Sequence, residues 1–361
     1  MPLLAFRRST QARVYLRLSC AVRLGKPEIP RIGPNKPHQY GLVFLRALLD
    51  VKSIICRLVY DVKSGMYGPA IMKTIESIIK AGDCAQVLHD YPDNFFDLIV
   101  TSPPYADQRK NTYGGIPPAK YVDWFVQRSE EFLRVLKPTG SFVLNIKEKV
   151  SAGERHTYVL ELILALRKQG WKWTEEYIWH KRNCHPGKWP NRFRDAWERC
   201  LHFTKTNKFN MYQDAVMVPM GEWAKARLKK LGKNDVVRFD SQVGSGFGKN
   251  IQNWVGRDMA YPSNVLHFAT ETGNKNHSAT FPRALPEWFI KLFTKEGDWV
   301  LDPFVGSGTT CEVAQKLLRN SVGIDILPEY VQLSTERIKP VEIMLLEKRT
   351  EYGKRDKKRN N

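Results

Sequence analysis

Acidic residues are scarce in this chain. Its 361 residues carry 57 Lys+Arg against 37 Asp+Glu, a formal charge of +20 with a pI near 9.7, and no acidic residue occurs up to Lys26. Such a surplus favours a polyanionic partner, nucleic acid first and an anionic membrane surface second. Long apolar runs are also lacking. None approaches the ~20 residues that span a bilayer, so a soluble protein is expected, with no membrane partner. Cys20, Cys56, Cys84, Cys184, Cys200 and Cys311 are scattered and form no Cys-x-x-Cys pair. That excludes a small disulfide scaffold and fits a reducing, intracellular compartment. Cys184-His185 and Cys200-Leu-His202 match no common zinc spacing, and no metal site is expected.

What is present falls into unequal parts. Residues 1–65 read as a basic, weakly ordered extension. Arg7, Arg8, Arg13, Arg17 and Arg23 punctuate an amphipathic stretch, and Pro27 to Pro37 has the composition of a linker. A transit peptide, a flexible basic arm and an upstream start codon are three readings of it. From Met72 the pattern becomes regular. Helices are expected from Lys120 to Leu136 and from Tyr158 to Lys168, the latter ended at Gly170. Strands are expected at Ser141–Ile146, and as a pair at Trp173–His180 and Glu198–Thr204. Alternation of this kind predicts an α/β fold with a mixed, mostly parallel sheet covered on both faces. Between residues 205 and 262 the periodicity breaks down. Gly244-Ser-Gly-Phe-Gly-Lys-Asn250 and Trp254-Val-Gly-Arg257 are basic and carry aromatics, which fits either a recognition element for nucleic acid or a solvated excursion. The tail 341–361 is basic, with Lys348, Arg349, Lys354, Arg355, Lys357, Lys358 and Arg359 near its end. It reads as a solubilising end or as a non-specific phosphate contact.

Two stretches carry chemistry. In Asp97-Leu-Ile-Val-Thr-Ser-Pro-Pro-Tyr105 an apolar strand runs into two prolines, which cannot donate to a sheet ladder, so the strand must end near Thr101. The stiff turn beyond it presents Ser102, the Pro103 carbonyl, Pro104 and the Tyr105 ring at a strand's C-terminal edge, where open α/β sheets bind ligands. A hydroxyl and a fixed carbonyl there can accept hydrogen bonds from an exocyclic amine, and the aromatic ring can stack on the base that bears it. A rigid turn with no chemistry is the competing reading of this motif taken alone.

The second stretch is Asp298-Trp-Val-Leu-Asp-Pro-Phe-Val-Gly-Ser-Gly-Thr-Thr310. A strand over Trp299–Leu301, a turn at Gly306 and Gly308, a helix over Cys311–Leu318 and a strand over Val322–Ile326 carrying Asp325 form the pattern that holds a ribose. No Lys follows the glycines, so a P-loop is excluded. A nicotinamide site remains possible on the acid's spacing, but the third glycine is absent and Asp302 would repel a pyrophosphate. A ligand bearing a cation and a ribose but no phosphate suits the acid better, and S-adenosylmethionine is such a ligand.

With both stretches placed, the chain resembles the exocyclic-amine DNA methyltransferases of the β group, in which the Ser-Pro-Pro-Tyr motif precedes Asp-Pro-Phe-x-Gly-Ser-Gly-Thr-Thr. The likeness covers roughly Met72 to Lys339. It takes in Gly82-Asp83-Cys84, Leu136-Lys-Pro-Thr-Gly140 and Asn276-His-Ser-Ala-Thr-Phe-Pro282. The resemblance implies a Rossmann-like, circularly permuted methyltransferase fold. Its catalytic half would be 66–204, its target-recognition insert 205–262 and its cofactor half 263–340. It implies that Ser102, Pro103, Pro104 and Tyr105 hold the target base. For S-adenosylmethionine it implies Asp302 at the methionine ammonium, Gly306 and Gly308 beneath the cofactor, and Thr309 and Thr310 at the carboxylate. Asp325 would take the ribose hydroxyls and Asp83 the adenine amine, with Phe281 and Pro282 helping to wall the methionine pocket and Phe304 also in the cofactor site.

In this family Ser at the first motif position more often accompanies N4-cytosine, and Asp or Asn N6-adenine, so a site-specific N4-cytosine methyltransferase is expected and N6-adenine is the alternative. Methylation at cytosine C5 requires a cysteine nucleophile, usually after proline, and no Pro-Cys occurs in the chain. The target base would be flipped from double-stranded DNA and methylated by direct in-line transfer. An RNA methyltransferase and an inactive DNA-binding relative are the further alternatives. The expected state is a monomer or weak homodimer, with a restriction endonuclease as a possible functional partner outside any complex. The expected location is cytoplasmic, or organellar or nuclear if the Arg-rich start is a targeting segment.

Overall fold

The computed structural model describes residues 13–19, 71–107, 115–184, 187, 190–231, 255–271, 281–338 and 341–347. Most of the basic extension, Gln108, His185, the Gly244–Asn250 stretch, residues 276–280 and the basic tail from Lys348 lie outside the described residues.

The chain divides into two compact units, one of residues 76–339 and one of residues 1–75 with 340–361. In the smaller unit Arg13–Ser19 and Ile71–Ile75 flank Val341–Glu347 in an antiparallel three-stranded sheet. So the described part of the Arg-rich stretch is a strand.

The larger unit is built on eight strands: β1 (Ser77–Ala81), β2 (Phe96–Thr101), β3 (Leu136–Ile146), β4 (Lys172–Lys181), β5 (Trp197–Thr204), β6 (Val265–Phe268), β7 (Trp299–Asp302) and β8 (Asn320–Asp325). Their order across the sheet is β6-β4-β5-β3-β2-β7-β8-β1. Every neighbouring pair is parallel except β4–β5 and β5–β3, so β5 alone is reversed. This is the mixed, mostly parallel α/β sheet expected. The connecting helices are α1 (Cys84–Val87), α2 (Pro118–Val135), α3 (Tyr158–Gln169), α4 (Glu222–Lys229), α5 (Ala284–Phe293), α6 (Thr309–Lys316) and α7 (Pro328–Arg337).

Strand β2 is buried along its whole length and stops at Thr101, immediately before the prolines. Several boundaries shift from the sequence reading: the helix expected over Cys311–Leu318 is α6 and the strand expected over Val322–Ile326 is β8, each beginning two residues earlier, and the largest change is at the end of α2. The chain passes from α2 directly into β3 at Leu136 rather than pausing until Ser141. Lys137 precedes a proline and is biased to extended backbone, which ends the helix and starts the strand at one point.

Period-two alternation along β3 assigns the two faces of the sheet. Phe142, Leu144 and Ile146 meet α2 and α3 through Phe125, Phe132, Tyr158 and Leu162. Val143 faces the other way, with Leu98, Val100 and Val300, against Phe289, Ile290 and Phe293 of α5. In the 205–262 segment the described residues form a 3-10 turn (Gln213–Val216), the two-residue ladder of Val218–Pro219 with Met259–Ala260, and α4, which buries no residue.

Phe142 is fully buried, with Phe125, Phe132, Trp171 and Phe203 around its ring. Phe142→Ala is expected to lower the unfolding free energy by about 3–5 kcal/mol in a denaturant titration. A loss under about 1 kcal/mol would show that this face is not the packed core.

Candidate active site

A cavity of about 490 Å³ opens at the C-terminal edge of the sheet. That lies within the roughly 300–1,000 Å³ of ordinary ligand sites. The loops after β1, β2, β6, β7 and β8 all reach it, because parallel strands deliver their C-terminal ends to one edge. The start of β5 reaches it as well, because that strand runs the other way.

Ser102, Pro103, Pro104 and Tyr105 line one side, and Asp302, Phe304, Gly306, Thr309 and Asp325 line another. Asp83 and Phe281 complete the sequence-derived set within the cavity. Pro282, Gly308 and Thr310 do not line it. The hydroxyl of Thr310 donates to Asp302 Oδ2 (2.5 Å). Gly308 shapes the turn from behind. It adopts φ +83°, and a Cβ there would come within 2.9 Å of the Ser334 Cβ, so only glycine lets α6 begin where it does.

The two halves are fastened at the cavity floor. Thr101 Oγ1 donates to Asp302 Oδ1 (2.6 Å), and the Phe304 amide donates to the same oxygen (3.2 Å). Burial pushes the Asp302 carboxyl up to about 6, against the pull of these donors. Asp325 accepts the Gly306 amide on Oδ2 and the Leu327 amide on Oδ1, both at 3.0 Å, and burial raises its pKa too. Asp83 caps α1 through the Ala85 amide (3.0 Å) and pairs with Arg128 (2.5 Å). The Arg128 guanidinium lies 4.4 Å over the Trp124 ring, which is also in the cavity wall.

The Ser-Pro-Pro-Tyr turn is held from two sides. Tyr121 of α2 donates to the Pro104 carbonyl (2.9 Å). The Tyr105 hydroxyl donates to Glu198 Oε2 (2.7 Å), with Asn145 Oδ1 at 3.2 Å, and Ser102 Oγ donates to the Tyr105 oxygen at 3.3 Å. Lys181 Nζ holds the other Glu198 oxygen at 2.5 Å. Burial, then the Glu198 charge, pushes the Tyr105 phenol well above its ordinary value, so it stays protonated. Asn145, Lys181, Glu198, Trp124 and Arg128 were not picked out from the sequence as site residues. A carboxylate in the apolar context of Trp197-Glu-Arg-Cys-Leu201 was the one available signal for Glu198.

A family model described as DNA methylase, of the N6/N4 type, matches residues 96–336. The type II methyltransferase M.PvuII of Proteus hauseri is 31% identical over 279 residues, an alignment covering 71% of this chain and 82% of that protein. M.SmaI of Serratia marcescens is 26% identical over 294 residues, covering 72% and 90%. Among solved structures, the PvuII DNA methyltransferase (cytosine-N4-specific) superimposes with a TM-score of 0.54 at 26% identity, over 74% of this chain and 88% of that one. The chain belongs to the N6/N4 DNA methylase family. Enzymes of the N6/N4 family use S-adenosylmethionine. The donor set fits that group. Three carboxylates, Asp83, Asp302 and Asp325, face a cavity whose glycine turn carries no lysine, which suits a ligand with an ammonium, a sulfonium and a ribose rather than one with phosphates. Cys200 and His202, weighed above as metal ligands, are core residues of β5. His202 packs against Phe293 with its Nε2 3.0 Å from Ser141 Oγ.

Asp302 gives a pH dependence whose sign is set by its raised pKa. The unfolded carboxyl titrates near 3.8 and the folded one near about 6, so the stability it contributes is full below about pH 4 and is lost as pH rises through about 6. Over that window Asp302→Asn is expected to gain on the wild type by up to about 3 kcal/mol in urea titrations. A difference that stays constant with pH would contradict the assignment.

Proposed function

We propose that this protein transfers a methyl group from S-adenosylmethionine to the exocyclic N4 amine of cytosine in duplex DNA. The observation that carries the proposal is the single cavity into which both the Ser102–Tyr105 turn and the Asp302–Thr309 loop open. A base amine and a methyl donor can therefore meet there. The choice of cytosine is supported by Ser102 in the first motif position and by the likeness to a cytosine-N4-specific relative.

In this reading Asp302 and the start of α6 hold the methionine end of the cofactor, Asp325 the ribose and Asp83 the adenine edge, with Phe304 and Phe281 as walls. S-adenosylmethionine supplies, when bound, a methyl group made electrophilic by its sulfonium. The protein does the rest by positioning. The amine of cytosine is a weak nucleophile because its lone pair is delocalised into the ring. Ser102 Oγ and the Pro103 carbonyl accept its N–H hydrogens and favour a pyramidal nitrogen with a freed lone pair, while the Tyr105 ring supports the base. A base inside the double helix cannot enter this cavity, so it must be extruded.

The connection from β4 to β5 is the surface we assign to the duplex. Lys181 and Glu198, at its two ends, line the cavity. Asp195 anchors it through Lys147 (3.3 Å), Arg155 (2.8 Å) and Arg192 (3.1 Å). Between Arg192 and Arg194, Phe193 is 94% exposed. An exposed aromatic ring flanked by arginines is suited to phosphates and to an unstacked base step.

The deciding test is mass spectrometry of nucleosides from unmethylated DNA incubated with the protein and S-adenosylmethionine. N4-methylcytosine is expected, and N6-methyladenine would retain the site but overturn the base. Ser102→Ala is expected to reduce single-turnover rates by about tenfold to a hundredfold with S-adenosylmethionine affinity unchanged. Phe193→Ala is expected to weaken duplex binding about tenfold without altering cofactor affinity, and unchanged binding would remove this loop from the interface.

A further inference from the structure

The hydrogen bonds at Ser102 have a direction, imposed by acceptors beyond Tyr105, of which Glu198 is the nearer and the charged one. A carboxylate can only accept, so the Tyr105 hydroxyl must donate to Glu198 Oε2 (2.7 Å). Its single hydrogen is then committed, and the 3.3 Å contact between Ser102 Oγ and the Tyr105 oxygen has Ser102 as donor. The Ser102 hydroxyl hydrogen is used in turn, and only lone pairs are left toward the cavity. Asn145 does not disturb this order. Its amide nitrogen donates to the Arg199 carbonyl (3.1 Å), which leaves its oxygen, another acceptor, facing Tyr105. Lys181, a donor only, holds Glu198 by the opposite oxygen at 2.5 Å.

We propose that Glu198, through Tyr105, makes Ser102 an obligate hydrogen-bond acceptor, so that the site takes a base with an amino group and rejects one with a carbonyl at the same position. The inference rests on the methyltransferase reading and adds to it a specificity-determining residue on the reversed strand. Glu198 acts through Tyr105, so it is a positioning residue. A site whose buried groups are matched to one hydrogen-bond partner discriminates strongly, because the wrong partner leaves two donors or two acceptors face to face.

Glu198→Gln tests the direction itself. Lys181 must attract the amide oxygen, which turns the amide NH2 toward Tyr105. The amide then donates to Tyr105, whose freed hydrogen is shared between Asn145 Oδ1 (3.2 Å) and Ser102 Oγ (3.3 Å), so Ser102 is no longer held as a donor and its hydrogen can turn to the cavity. Tyr105→Phe ends the chain outright. With the full-length protein and a duplex that the wild type methylates, Glu198→Gln is expected to lower the single-turnover rate by about tenfold or more. Adding Tyr105→Phe to it is expected to raise the rate back to that of Tyr105→Phe alone. A residue with only a structural role would give a double variant no faster than either single one.

The second readout is binding without turnover. Duplex affinity is compared for cytosine and for uracil at the target position, uracil having a carbonyl in place of the amine. The preference for cytosine in the wild type is expected to fall by about tenfold in Glu198→Gln. If Glu198→Gln does not fold, Tyr105→Phe carries this comparison, because a freed Ser102 hydroxyl must weaken the preference. A Glu198→Gln rate within twofold of wild type, a double variant no faster than Glu198→Gln, or an unchanged cytosine preference would each overturn the proposal. These outcomes leave the methyltransferase reading intact. A wild type that methylates no duplex would instead count against that reading.

Discussion

A buried hydrogen bond at the ends of two paired strands holds the two chemical halves of this protein in register at the cavity. Thr101 ends the strand that leads to Ser-Pro-Pro-Tyr, and Asp302 ends the strand that leads to the glycine turn. The two residues are 201 positions apart and 2.6 Å from each other. Removing one partner of such a bond would leave a buried carboxylate or hydroxyl unmatched, which costs more than the bond itself contributes. The same carboxylate takes Thr310 at the head of α6. One acid thus sets the separation between the turn that would hold the base and the helix start that would hold the cofactor. At the opposite end of the same strands, buried Asp97 accepts Lys137 through both oxygens and the Trp299 amide. The central pair β2–β7 is therefore fixed at both ends.

The charge distribution follows a division of labour. A chain with a formal charge of +20 gathers Asp83, Glu198, Glu271, Asp302 and Asp325 around one cavity. Carboxylates kept inside repel phosphates and attract a cation, while the basic surplus elsewhere faces the opposite problem of attracting a polyanion. Both follow from Coulomb's law at different depths: weakly screened in the cavity and strongly screened, though long in reach, at the surface.

Position 198 shows how strand direction becomes chemistry. In a fully parallel sheet only strand ends reach the ligand edge. Reversal of β5 brings a strand beginning there, with a carboxylate on it, and that carboxylate can order a chain of hydroxyls which have no preferred direction of their own.

Local rules were enough for much of this architecture. Two prolines had to end a strand at Thr101, the helical spacing of Trp124, Phe125, Phe132 and Leu136 had to make a helix with an apolar face, and a glycine turn between strand and helix had to lie beside an acid at the next strand's end. Each depends on backbone sterics or periodicity within a few residues, and these act the same way in any fold. The sequence by itself therefore determined the main elements of the larger unit and, through its two motifs, the family and the parts of the cavity wall made by Ser102–Tyr105 and Asp302–Thr309. Tertiary structure alone decided what depends on contacts across distant positions. Asp302 meets Thr101, Thr310 is turned inward, Arg128 pairs with Asp83, and Glu198 reaches Tyr105. The physical reason is that hydrogen-bond partners are selected by proximity in space, and strand order and strand direction, which create that proximity, leave no periodic signal along the chain.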